Sequence, residues 1–350
     1  MTSEELISDP IGRYPPATVA CFDPMTGELP RRRLDTKKTI RFLERLAAAE
    51  APAVLIAAST GHGHLRTVDE LEDWFSCSAE ATLGDTVKMA LLRPEDGLAA
   101  NTRLLSVLDD LGYSVVFVRP GTDLDSDATD EQVAENMQPV VRVAAELGLA
   151  VGVYSITDVS GLRLSADATV MLLDGPGGDH IVAAKLTEAN YESSTLHFLD
   201  HPRLKHLKIV QGWDPYLARA LQDGPCYDER QRQRSGVTSG PMSLAVFQYQ
   251  HILAAADAED WNEAAMAQQA VTTLFESMQD DPARFADLQR AKYIMGLGHP
   301  LQAAITEAQV ERVFAVLEAL PRAQDRQRLA ASLDLMGSGP YHVRLQDLAS

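Results

Sequence analysis

Three features of the sequence predict an α/β protein, a (β/α)8 TIM barrel with an appended C-terminal helical segment. Short apolar runs rich in β-branched residues recur roughly every 30 residues, the repeat of a barrel built from eight strand–helix units. Segments of helical period separate these runs, and an alternation of strands with helices favours a parallel sheet. After about Ser243 the strand-like runs stop and only helical periods continue.

In chain order the expected strands are Thr18–Phe22, Ala53–Ala58, Val87–Leu92, Ser114–Val118, Ala150–Ser155, Ile181–Leu186, Leu207–Val210 and Gly236–Ser239, the last being the weakest. Most are continuous apolar runs, as expected of strands buried on both faces. Thr36–Ala49 places Ile40, Leu43 and Leu46 on one helical face, and Thr102–Leu111 and Glu131–Leu147 behave alike. Met242–Ala256 reads as the last barrel helix. Trp261–Met278, Pro282–Leu297 and Thr306–Leu320 read as appended helices. The expected division is therefore a barrel over 1–256 and a helical segment over 257–350. The polar stretch Asp223–Ser235 reads as a loop inserted before the eighth strand.

Composition narrows the function classes. The net charge of -19 argues against nucleic acid as a partner, because phosphate neutralisation needs a basic face. No apolar stretch reaches the roughly 20 residues that span a bilayer, so no membrane partner is expected. The acidic N-terminus carries no apolar signal segment, and Cys21, Cys77 and Cys226 are too few and too scattered for a disulfide framework or a zinc cluster. A cytoplasmic protein is expected. Two basic runs, Arg31-Arg32-Arg33 and the arginines of Glu229–Arg234, are compatible with solvated loops and with a grip on an anionic substrate. Asp123-Leu124-Asp125-Ser126-Asp127 lacks the Gly and the distal Glu of a calcium loop and is assigned to an acidic loop.

In such a barrel chemistry sits at the C-terminal ends of the strands, and three of those ends carry reactive or polar groups. Ser59-Thr60-Gly61-His62-Gly63-His64 follows the second strand. Small hydroxyl residues before Gly permit a tight turn whose N–H groups cradle a carboxylate, and the same residues also make an ordinary strand-to-helix turn. Tyr154 ends the fifth strand, where a phenol serves either as a proton relay or as packing. Lys185 follows Ile181-Val182-Ala183-Ala184, where an apolar surround lowers an amine's pKa and makes it a nucleophile toward ketones. The alternative is a lysine that snorkels to solvent.

Taken in this order, the residues resemble the dihydrodipicolinate synthase/N-acetylneuraminate lyase superfamily of pyruvate-handling class I aldolases, lyases and dehydratases. The resemblance runs from Gly12 to Ala256, with helices beyond it as in the family. Gly12–Pro24 is similar to the family's first strand and turn. Ser59-Thr60-Gly61 resembles its hydroxyl-Gly motif for the pyruvate carboxylate, Tyr154 its relay tyrosine and Lys185 its Schiff-base lysine. Gly212, in Gln211-Gly212-Trp213-Asp214, matches a Gly-x-Asp turn. Thr238 lies in Gly236-Val237-Thr238-Ser239, which resembles the Gly-Val-Ile-Ser segment of the eighth strand.

The resemblance implies catalysis by Lys185, Tyr154 and Ser59, with Thr60, Gly61, His62, Gly212 and Thr238 binding substrate. It implies a 2-oxo acid and an aldehyde as small-molecule partners, joined or released through an imine that is its own electron sink, and so no cofactor and no metal. It also implies a homo-oligomer. A dehydratase acting on a 2-oxo-3-deoxy sugar acid and a non-catalytic 2-oxo-acid-binding paralogue are the alternatives.

Some positions depart from the family pattern. His62 stands where the family usually has Glu, and His62-x-His64 has no third metal ligand nearby in sequence. Val159 occupies the position of the carboxylate-binding Arg of dihydrodipicolinate synthases, and Val118–Asp123 offers no second Tyr. Dihydrodipicolinate synthesis is therefore not expected.

Overall fold

The computed structural model describes residues 1–26, 33–224, 233–279, 285–299 and 304–350. Arg31 and Arg32, Cys226, residues 225–232 of the expected inserted loop and the start of the expected helix at Pro282 lie outside them.

Eight parallel strands close into a barrel: β1 Ala17–Ala20, β2 Ala53–Ile56, β3 Val87–Leu92, β4 Val115–Val118, β5 Ala150–Ser155, β6 Ile181–Leu186, β7 Lys208–Gln211 and β8 Ser235–Ser239. Each strand pairs with its sequence neighbour, and β8 closes on β1 with Ala17 opposite Val237. All eight expected strands are present, displaced by at most two residues at an end. Alternation within each strand sends one set of side chains inward and the other against the helices. Val87, Met89 and Leu91 of β3 join Val115 and Phe117 of β4 inside the barrel, while Ala90 and Leu92 face the helical layer. Gly152 of β5 makes room for Phe117, since a Cβ there would lie 2.3 Å from the ring.

The N-terminal end of the barrel is stoppered by the helix Ser3–Ser8, which starts with a Thr2/Glu5 capping box. It inserts Leu6 into the barrel interior. Ser3 Oγ donates to the Ser114 carbonyl and Ser114 Oγ to the Met1 carbonyl.

The helices follow the expected periods with local corrections. Thr36–Ala48 is capped by Asp35, and Asp130–Glu146 by a Thr129/Gln132 capping box. The expected helix at Thr102 begins earlier, spanning Leu98–Asp110, because its exposed first turn shows no apolar period. The expected helix from Met242 is split into a 3-10 turn, Pro241–Ser243, and a helix, Val246–Asp257. Trp261–Met278 is as expected, Ala286–Ile294 and Glu307–Ala319 are shorter than expected, and Ala323–Leu333 and His342–Ala349 extend the segment. The core runs without interruption from the barrel's outer layer into these helices through Leu274, Val310, Phe314 and Leu329. Among the described residues no helix is long and apolar enough to cross a membrane.

Candidate active site

A cavity of about 510 Å3 opens at the C-terminal end of the barrel, and Lys185 lies in its wall. Lys185 ends β6 and is only 2% exposed. Burial pulls its amine down to about 7, against an opposing pull from the Asp214 carboxylate. Gly212, just beyond β7, gives the lysine its path: a Cβ there would lie 3.1 Å from Lys185 Cε and 2.1 Å from Thr187 Oγ1.

Tyr154 pairs with Lys185 in the β5–β6 register, and Lys185 Nζ sits 4.0 Å from the centre of the Tyr154 ring. The tyrosine is fully buried and its hydroxyl has no protein hydrogen-bond partner. Burial pushes this phenol well above its ordinary range, so it holds its proton across neutral pH. Thr60, Thr187 and Thr238 also line the cavity, and none of their hydroxyls has a protein partner. Buried polar atoms without partners are rare in native proteins. Their convergence beside a buried amine marks a place for a polar ligand.

Asp214 lies on the same wall. Ser239 Oγ and Tyr249 Oη both donate to its Oδ1, and they stand 2.9 Å from each other. Burial raises Asp214 to about 6, although these two hydroxyls and Lys185 favour its charge. A fourth ionisable group, Asp287 at the start of the helix Ala286–Ile294, is raised to about 7 by burial and by the neighbouring charge of Asp214.

The turn after β2 differs in part from expectation. It closes on itself through Gly61 N to Ala58 O, His62 N to Ser59 O and Gly63 N to Ala58 O. The amides of Gly61 and His62 therefore make the turn instead of facing a ligand, while those of Ser59 and Thr60 stand outside these bonds. Ala57 and His62 both adopt positive φ, 59° and 63°, an arrangement that costs about 1 kcal/mol or more per non-glycine residue. Gly61 permits close packing against Cys21, whose carbonyl would lie 2.0 Å from a Cβ. Ser59 is fully buried with an unpartnered hydroxyl but does not line the cavity.

His62 is also absent from the cavity wall. It belongs to a buried ionic cluster in which Asp23 meets His62 Nδ1 at 3.3 Å, Lys292 Nζ at 2.5 Å and the Arg66 guanidinium. Burial alone would raise Asp23, but Lys292, His62 and Arg66 together hold it below the ordinary carboxylate range.

Two further expectations receive structural detail. Val159 packs into the barrel-interior cluster, so its position offers no carboxylate clamp. Arg234, expected in a polar loop, is buried, and its guanidinium donates to the carbonyls of Phe198, Leu199, Leu204 and Leu207. It ties the start of β8 to the segment that leads into β7. Asp287 has no signal in the sequence, because its place over the barrel mouth depends on how the C-terminal helices pack. Asp214 was legible only as the end of the Gly212 turn.

No family model and no curated protein matches the chain by sequence. Solved structures match it closely in fold. A sialic acid aldolase of Ruminococcus gnavus superposes with a TM-score of 0.72 at 12% identity, covering 90% of this chain and 97% of its own. A variant of the 2-keto-3-deoxygluconate aldolase of Sulfolobus solfataricus gives 0.71 at 15% identity, covering 90% and 99%. A prophage protein of the dihydrodipicolinic acid synthase family from E. coli K12, in complex with pyruvate, gives 0.74 at 15% identity, covering 88% and 99%. Likeness at such identities speaks to architecture, and function has to be argued from the site. The chain has the barrel-plus-helices fold shared by solved aldolases of the dihydrodipicolinate synthase/N-acetylneuraminate lyase superfamily.

Proposed function

We propose that this protein is a Schiff-base class I aldolase or lyase that joins or releases a 2-oxo acid, such as pyruvate, and an aldehyde. The observation that carries this reading is Lys185: a buried amine lowered to about 7, seated against Tyr154 in a cavity lined by unpartnered hydroxyls. A lysine near this value is largely neutral at slightly alkaline pH, and only the neutral amine attacks a ketone.

The Lys185 amine adds to the 2-oxo carbon, and the resulting carbinolamine loses water to give an iminium. Tyr154, which holds a proton and has no competing protein partner, supplies it to the departing hydroxyl and recovers it at a later step. In this reading the hydroxyls of Thr60 and Thr238, with the Thr60 amide, hold the substrate carboxylate and fix the reacting carbon. Loss of a proton from the adjacent carbon gives an enamine that attacks the aldehyde. Water then hydrolyses the product iminium and frees Lys185. Cleavage is the same sequence reversed.

Incubation with pyruvate and cyanoborohydride followed by intact-mass measurement tests the reading. The expected result is a reduced pyruvate adduct that is absent from Lys185→Ala. Failure to trap any of a panel of 2-oxo acids on the unaltered chain would overturn it.

A further inference from the structure

Lys185 and the threonine hydroxyls account for the inner part of the cavity but leave its outer wall unexplained. That wall combines the rings of Trp213, Phe275 and Phe285 with the carboxyls of Glu276 and Asp287, most of them delivered by the C-terminal helices. Asp158 and Asp214 add two more carboxyls, and among the described lining residues the only cation is Lys185. Arg290, one turn along from Asp287, donates its guanidinium to the Met278 and Ala304 carbonyls.

Carboxyls crowded into a partly buried site need a counter-charge. Burial raises both Asp214 and Asp287, and the charge of Asp214 raises Asp287 further; Lys185 pulls Asp214 back and Arg290 pulls Asp287 back, but two cations do not balance four carboxyls. Aromatic faces beside carboxylates attract an organic cation, whose desolvation they offset. Thr60 and Thr238 are at least nine-tenths buried and turn unpartnered hydroxyls to the inner part of the same cavity, which marks the cavity as a whole as a ligand site.

We propose that the outer part of the cavity binds a cationic group, so that the second substrate is an aldehyde bearing an ammonium or other basic substituent. Cation binding itself stands apart from the chemistry, but naming the ligand as second substrate rests on the Schiff-base reading. The acidic wall repels aldehydes that carry a carboxylate or phosphate. A sugar-like aldehyde would find carboxyls and rings here, with few of the neutral amide groups that match a row of hydroxyls.

Calorimetry on the full chain with choline and its uncharged isostere 3,3-dimethylbutan-1-ol provides the test. Choline is expected to bind roughly tenfold or more tightly than the isostere, with the ratio falling toward unity in Asp287→Asn and Glu276→Gln. Glu276 is solvent-exposed, so its variant keeps the test open if Asp287→Asn does not fold. Equal affinity for the two probes, or a ratio unchanged in both variants, would overturn the proposal.

In turnover with pyruvate, trimethylammonioacetaldehyde should outrun 3,3-dimethylbutanal, and succinic semialdehyde should be the poorest. A preference for the carboxylate-bearing aldehyde would also overturn it. Pyruvate trapping on the unaltered chain separates the two readings. An adduct without a choline preference removes only the cation site, whereas a choline preference without an adduct removes only the aldolase.

Discussion

Lys185 shows how a single position acquires its chemistry from its surroundings. The lysine ends an apolar strand, and burial lowers its amine from the ordinary 10.5 to about 7. The rate of imine formation with pyruvate should therefore climb as pH rises toward 7 and level off above it, because protonated Lys185 is not a nucleophile. A rise that continued toward 10.5 would show an ordinary exposed amine; cyanoborohydride trapping as a function of pH distinguishes the two. The same shift opposes stability. The folded state binds fewer protons than the unfolded chain between about 7 and 10.5, so this penalty is full below neutrality and fades as pH rises. A strand-end lysine was legible in the sequence, but Asp214 as its charged neighbour and Gly212 as its steric gate emerge only from three-dimensional proximity.

At the scale of elements, most strands were readable because they are short, buried apolar runs; β8, Ser235–Ser239, is small and polar and gave the weakest signal. Helix ends were harder. The first turn of Leu98–Asp110 is exposed and shows no period, whereas helices with side-chain caps begin where the cap dictates. In Asp130–Glu146, Thr129 and Gln132 close a reciprocal capping box. Thr129→Ala should lower unfolding stability by about 1 kcal/mol, seen as a lower urea midpoint at unchanged slope. An unchanged midpoint would mean that tertiary packing alone holds this end. Inside the barrel, the pairing of Gly152 with Phe117 is a complementarity of volumes that neither strand reveals by itself.

At the scale of the molecule, the appended helices are joined to the barrel mouth rather than merely following it. Lys292, from the helix Ala286–Ile294, reaches Asp23 beyond β1, and that carboxylate also meets Arg66 and His62 beyond β2. Lys292→Met should destabilise the protein by about 3 kcal/mol, because it removes one partner from a buried charge. Denaturant unfolding measures this, and a loss below about 1 kcal/mol would show that Arg66 suffices. Asp23 is held below its ordinary 3.8, so its contribution is present above that value and lost as pH falls through its lowered range. Lys292→Met should reduce that acid sensitivity.

The sequence by itself determined the barrel, the order of its strands, and the strand ends that bear Lys185, Tyr154, Thr60 and Thr238, because strand burial and turn chemistry are local properties of short runs. Tertiary structure alone decided the rest. It drew His62 away to an ionic cluster with Asp23, buried Arg234 among backbone carbonyls, and set Glu276 and Asp287 over the mouth of a barrel whose strands end at Ser239. Those placements depend on contacts between residues far apart in the chain, and no periodicity within a segment records what will pack against it.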